Sequence, residues 1–168
     1  MRNKIMAIDP GPTESAYVVV EHDGGEIRRV VLRDKVPNTA LLSNLRMLAN
    51  GCDIAMEMVA SYGMPVGREV FETCVWIGRF LQEAGIPPAG WERTVVYRIE
   101  EKTTLCHSAA ARDSNIRQAL VDRYAPGAAN SGKGTKKEPG FFYGFRADVW
   151  QAMAVAVAWF EREVKTDE

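Results

Sequence analysis

Apolar and polar residues alternate with different periods along the chain, and each change of period predicts a new element. Lys4 to Ile8 is a short unbroken apolar run, the pattern of a strand covered on both faces. It stops at the breaker Asp9-Pro10-Gly11-Pro12. Ser15 to His22 reads as a second strand, Asp23-Gly24-Gly25 as a hairpin turn, and Glu26 to Arg33 as a third strand. A helical period follows at Leu41, Leu42, Leu45 and Leu48, with Asn38 or Thr39 as the cap and Asn50-Gly51 as the stop. Ile54 to Met58 is a fourth strand, and Ser61 to Gly67 a loop. From Arg68 to Ala84, Val70, Phe71, Cys74, Ile77, Leu81 and Ala84 align on one helix face. Arg93 to Ile99 predicts a fifth strand, Ala111 to Tyr124 a helix, Gly127 to Gly144 a long loop and Ala147 to Val164 a last helix.

The order βββ-α-β-α-β-α-loop-α predicts an α/β fold, a five-stranded mixed sheet with helices on both faces. A right-handed crossover sets the fourth strand parallel to the first. The active site is then expected at the carboxyl ends of those strands.

Length and composition narrow this picture. The chain has 168 residues, 46% hydrophobic and 26% charged, which fits one ordinary globular domain, residues 1–168, and excludes disordered, collagenous and disulfide-scaffold classes. No run of about 18 apolar residues offers a membrane span, and Met1 to Ile8 is too short for a signal-peptide core. Three scattered cysteines suit a reducing cytoplasm. A net charge of −1 provides no global attraction for nucleic acid, so DNA binding has to come from a local basic patch.

Candidate chemistry lies in acids at apolar positions. Asp9 ends one apolar strand and Glu57 stands inside another, Ile54-Ala55-Met56-Glu57-Met58. Burying a carboxylate without a partner costs several kcal/mol, so such groups are paired, protonated or metal-bound. No basic residue flanks Glu57 in the chain. Two like charges at one end of a sheet repel unless one is protonated or a cation intervenes. Oxygen-only ligation favours Mg²⁺ or Mn²⁺. Asp148, in the first turn of the alanine-rich last helix, is the third acid expected to converge there. The plain alternatives are a turn cap for Asp9, an outward-facing position for Glu57 and a helix-dipole partner for Asp148.

Two other signals are weaker. Gly127 to Gly134 nearly spells a phosphate loop but lacks the final Ser or Thr and the flanking strand and helix, so no nucleotide cofactor is expected. The stretch reads instead as a flexible basic loop in which Lys133, Lys136, Lys137 and Arg146 surround Phe141, Phe142, Tyr143 and Phe145, suited to DNA. Some of these aromatics are expected to anchor it to the core. Cys106-His107 has no second pair at zinc spacing.

Ile8-Asp9-Pro10-Gly11, Ala55-Met56-Glu57 and Ala147-Asp148 before the alanine-rich helix resemble the RuvC-like Holliday-junction resolvases of the RNase H-like superfamily. The segments 61–69, 113–120 and 134–140 resemble the phage and prophage type in particular, and the likeness runs the whole length. The resemblance implies an RNase H-like fold and a Mg²⁺-dependent two-metal endonuclease, with Mn²⁺ able to substitute. Asp9, Glu57 and Asp148 would be the ligands, one ion activating water and the other stabilising the leaving 3′ oxygen. It further implies branched, four-way-junction DNA as substrate, a homodimer, no membrane, and a bacterial cytoplasmic location. Lys102 matches the lysine that the family places after its fifth strand, and Arg112 falls where the family has a second lysine.

Two positions depart from the pattern. Gln151 replaces a second acid three residues after Asp148, where it can still reach the site as outer-sphere support but without the charge. Ala60 stands at the offset of a junction-wedging aromatic, and Tyr62 is the nearest substitute able to stack on a base. Two alternatives remain open. One is a catalytically inactive RNase H-like DNA-binding module, the other a superfamily nuclease acting on flaps or RNA–DNA hybrids. An actin-like phosphotransferase would need about twice this length.

Overall fold

The structure is a computed structural model and describes residues 3–164. Its sheet has the strand order β3-β2-β1-β4-β5. Strands β1 (Lys4–Asp9), β2 (Glu14–His22) and β3 (Ile27–Pro37) form the expected antiparallel meander. Strand β4 (Asp53–Met58) runs parallel to β1, and β5 (Val95–Tyr97) parallel to β4.

Helices cover both faces, and strand alternation sorts the core accordingly. Met6, Ile8, Ile54 and Met56 face α1 (Asn38–Leu48) and α2 (Arg68–Glu83). Ile5, Ala7, Ala55 and Val96 face α6 (Val149–Glu163). Helix α6 is apolar nearly all round, as befits a helix buried on every side. The sheet lies on one side of it. On the other lie α4 (Arg98–Cys106), α5 (Asp113–Tyr124) and the aromatic turn 141–145. A short helix α3 (Trp91–Thr94) leads into β5.

Several expectations need correction. The predicted fifth strand, Arg93 to Ile99, is only Val95–Tyr97, closed off by α3 and α4. Helix α4 has no apolar stripe: its one fully buried residue is Glu101, so hydrophobic period is silent there. Helix α2 buries Thr73, Ile77, Phe80 and Leu81 and leaves the predicted face residues Phe71 and Cys74 exposed. Helix α6 begins at Val149, which puts Asp148 at its N-cap position rather than in its first turn. Segment 127–144, by contrast, has little regular structure and is anchored by aromatics, as expected. Phe142 and Phe145 are buried in the core and pack on Trp150 with ring centroids 4.8 and 5.0 Å away.

Candidate active site

Register builds the site from the sheet outward. Ala7 pairs with Ala55 across the parallel β1–β4 ladder, so two residues on, Asp9 and Glu57 stand side by side on the α6 face. The row continues on both sides, because Glu57 pairs with Val96, Asp9 with Ala16, and Ala16 with Lys35. Beyond Asp9 the chain must turn sharply. A Cβ on Gly11 would meet Glu14 O at 2.4 Å, so only glycine fits. The turn is held by Ser15 Oγ, which accepts from Gly11 N (3.3 Å) and donates to Asn38 Oδ1 (2.6 Å), and by Asn38 Nδ2, which donates to Gly11 O (2.8 Å). Asn38 thus serves this turn and not the cap of α1, whose N-cap position is Pro37. Asp9 is not needed to cap the turn.

Asp9 and Glu57 are close enough that each bears on the ionisation of the other. Burial pushes the Asp9 carboxyl well above the usual range, and the charge of Glu57 and their shared hydrogen bond push it further. The charges of Asp148 and Glu101 add to this. Burial also raises Glu57, opposed by the bond from Asp9 and by the Arg98 guanidinium.

A fourth acid completes the cluster. Glu101 has no exposed surface, and burial followed by the charge of Glu57 holds its carboxyl well above normal. Its Oε1 is buried without a hydrogen-bond partner. Its Oε2 accepts from Arg98 Nη1, which also donates to Gln151 Oε1, while Arg98 Nη2 donates to Asp113 Oδ1. One guanidinium thus ties α4, α5 and α6 together at the edge of the carboxylates. Helix α4 itself is started by Glu100, whose Oε2 accepts from Tyr97 N at 2.7 Å.

Asp148 is felt by both Asp9 and Glu57, but its Oδ2 is held by Lys35 Nζ at 2.6 Å. Among the described residues no three His, Cys, Asp or Glu side chains are grouped closely enough to hold one ion as they stand. The structure therefore brings Asp9 and Glu57 into contact and sets Asp148 within electrostatic reach. It places Gln151 in the same cluster, on Arg98.

The predicted DNA-contacting residues divide into two groups. Lys102 and the exposed Tyr62 line one pocket of about 180 Å³ with Arg98, Ile99 and Ala109, beside the carboxylates. Lys136 and Lys137 are the exposed central residues of a turn closed by Thr135 N donating to Glu138 O (2.9 Å). Lys133 is half-buried at the base of this turn, where its carbonyl accepts from Gly140 N (3.0 Å). Arg112 is exposed at the N-cap position of α5. A cleft of about 580 Å³ at the opposite end of β4, lined by Asp53, Ile54, Trp159 and Glu163, contains none of these residues.

Sequence reading missed Glu101, Arg98 and Lys35. An available signal for the first two was the Arg98/Glu101 spacing of three in a stretch of helix-favouring residues. Nothing local points to Lys35.

The cluster has a measurable signature. Carboxyls whose folded pKa lies above the unfolded value stabilise the fold fully below the unfolded value, and this is lost as pH rises through the folded one. Asp9, Glu57 and Glu101 all shift that way. Urea unfolding without divalent ions should therefore show lower stability at about pH 8 than at about pH 5. Glu101→Gln should flatten the difference. Equal stability at both ends would refute the shared charge burden.

No protein-family model matches the chain, and no curated protein sequence matches it. Solved structures do. The Thermus thermophilus RuvC structure superposes with a TM-score of 0.60 at 18% identity, covering 95% of each chain. T. thermophilus RuvC in complex with a Holliday junction substrate superposes at 0.61 and 14% identity, covering 96% of each chain. Over nearly its whole length, then, this chain has the RNase H-like α/β fold of RuvC.

Proposed function

We propose that the chain is a divalent-metal-dependent endonuclease that nicks four-way DNA junctions or related branched DNA, acting as a homodimer. The observation that carries this reading is the side-by-side carboxyl pair Asp9–Glu57 at the carboxyl ends of adjacent parallel strands, with buried Glu101 beside it. The fold supports it as well, since a RuvC of that fold is known in complex with a Holliday junction.

The residues fit a hard divalent cation. The donors are all carboxylate oxygens, the choice of Mg²⁺ or Mn²⁺, and Glu101 Oε1 is a buried acceptor left without a donor. Asp9 and Glu57 would hold the metal with Asp148, and Glu101 would stand behind them. A bound Mg²⁺ pair supplies water activation and stabilisation of the leaving oxygen. Both Asp9 and Glu57 would have to be ionised to serve as ligands, against the burial and neighbouring negative charges that raise their pKa values. Arg98 compensates Glu101 and holds Gln151 in place of a charge. Lys102 and Tyr62, lining one pocket, offer a point cation to a phosphate and a ring to an unstacked base.

The dimer matches the two-fold symmetry of a junction. Phe71 and Val75, each 62% exposed and four apart on α2, are its candidate contact.

The test is nicking of a synthetic four-way junction with and without Mg²⁺ or Mn²⁺. Metal-dependent paired nicks support the reading, and better cleavage of RNA–DNA hybrids than of junctions overturns the substrate. Binding without cleavage would support the second reading, an inactive DNA-binding module. That reading draws on Asp148 and Gln151 both being engaged by cations of the chain itself.

A separate prediction concerns the turn at 135–138. Lys136→Ala with Lys137→Ala should weaken binding to every DNA form alike. The slope of log affinity against log salt should fall in magnitude by about 2. An unchanged slope would remove this turn from the DNA surface.

A further inference from the structure

Lys35 lies far from the acids in sequence but shares their row in the sheet. Asp9 pairs with Ala16 and Ala16 with Lys35, so Lys35 stands two strands from Asp9 on the same face. The residue between them is an alanine, which leaves the lysine stem free to run across the sheet toward the cluster. Its ammonium ends on Asp148 Oδ2 at 2.6 Å, with Glu14 Oε2 as a distant second neighbour at 4.0 Å. The pair is partly open to solvent, with 29% of the lysine side chain and 48% of the aspartate side chain exposed.

Lys35 and Arg98, the cations that engage the cluster, are built differently. Arg98 is bound to three groups from three helices at once, so releasing it would strip several charge-assisted bonds together. Lys35 has one close partner on a flexible stem, and a single ammonium contact at a partly solvated site is worth little. It is therefore the cation that can be exchanged.

We propose that Lys35 is an internal counter-ion that occupies Asp148 in the ion-free protein and that an incoming divalent cation has to displace. This rests on the reading of Asp9, Glu57 and Asp148 as a divalent site and adds a competitor to it. Lys35 then sets the ion concentration at which Asp148 joins the other two acids. Without the lysine, Asp148 faces Asp9 and Glu57 with no counter-ion of its own, so the ion-free protein is weakened and the loaded protein relatively favoured.

The test is Mn²⁺ binding, followed by calorimetry and by the spin resonance of free Mn²⁺, on the full chain without DNA. Lys35→Met and Lys35→Gln should each bind Mn²⁺ about two- to fivefold more tightly than the parent and melt at a lower temperature when ion-free. Lys35→Arg keeps the charge in a fork that grips a carboxylate better, so its affinity should equal the parent's or fall below it. Unchanged or weaker binding by both neutral variants overturns the proposal while leaving the divalent site standing. Absence of Mn²⁺ binding in the parent and all variants overturns the divalent site itself, and this proposal with it. If one neutral variant fails to fold, the other decides.

Discussion

Asp9→Asn should abolish metal-dependent cleavage of a four-way junction, by about 10³-fold or more, while leaving the ion-free fold intact or slightly more stable. Burial, Glu57, Asp148 and Glu101 all oppose the ionisation of Asp9. An amide of the same shape removes that burden. The amide can still donate a hydrogen bond to Glu57. What it lacks is the ability to become a second anionic ligand. The two readouts are nicking at saturating Mg²⁺ and urea unfolding in chelator at about pH 8, where the variant should be level with the parent or up to about 1 kcal/mol more stable. A stability loss of about 2 kcal/mol or more would instead make Asp9 a structural residue of the Pro10-Gly11 turn. Retained nicking would sink the assignment outright.

Arg98→Met should be the most destabilising single change near the site, by about 3 kcal/mol at pH 8. The guanidinium is mostly buried and serves Glu101, which has no exposed surface, together with Gln151 and Asp113. Breaking a buried pair from one side leaves the other charge unsolvated, a far larger cost than the pair's net worth. The cost depends on Glu101 being ionised. It should therefore shrink as pH falls through the raised pKa of that acid. Arg98→Met combined with Glu101→Gln should recover most of the loss, a coupling that a double-mutant cycle measures directly. If the two changes are additive, Arg98 and Glu101 do not depend on each other.

How far the site could be read in advance differs residue by residue. Asp9 and Glu57 stand out because each interrupts an apolar strand, and the parallel β1–β4 pairing follows from the handedness of a crossover. Asp148 is legible as the residue before an alanine-rich helix. Glu101 is hidden because α4 carries no apolar stripe and its buried residue is an acid. The aromatic turn 141–145 has the opposite fault: its composition looks like an open binding loop, but Phe142 and Phe145 complete the core around Trp150. A phenylalanine reads the same whether it stacks on a base or on a tryptophan.

Hydrophobic period and chain breakers, which act over a few neighbouring residues, were enough to determine the strand–helix order, the mixed sheet covered on both sides and the end of it where Asp9 and Glu57 lie. Which cations answer those acids was decided only in three dimensions. Lys35 and Asp148 are separated by 113 positions, and Arg98 and Gln151 by 53. Such partners meet because strand order and helix packing bring distant segments together. Charge pairing over that span leaves no local pattern, since any surface lysine or arginine would look the same along the chain.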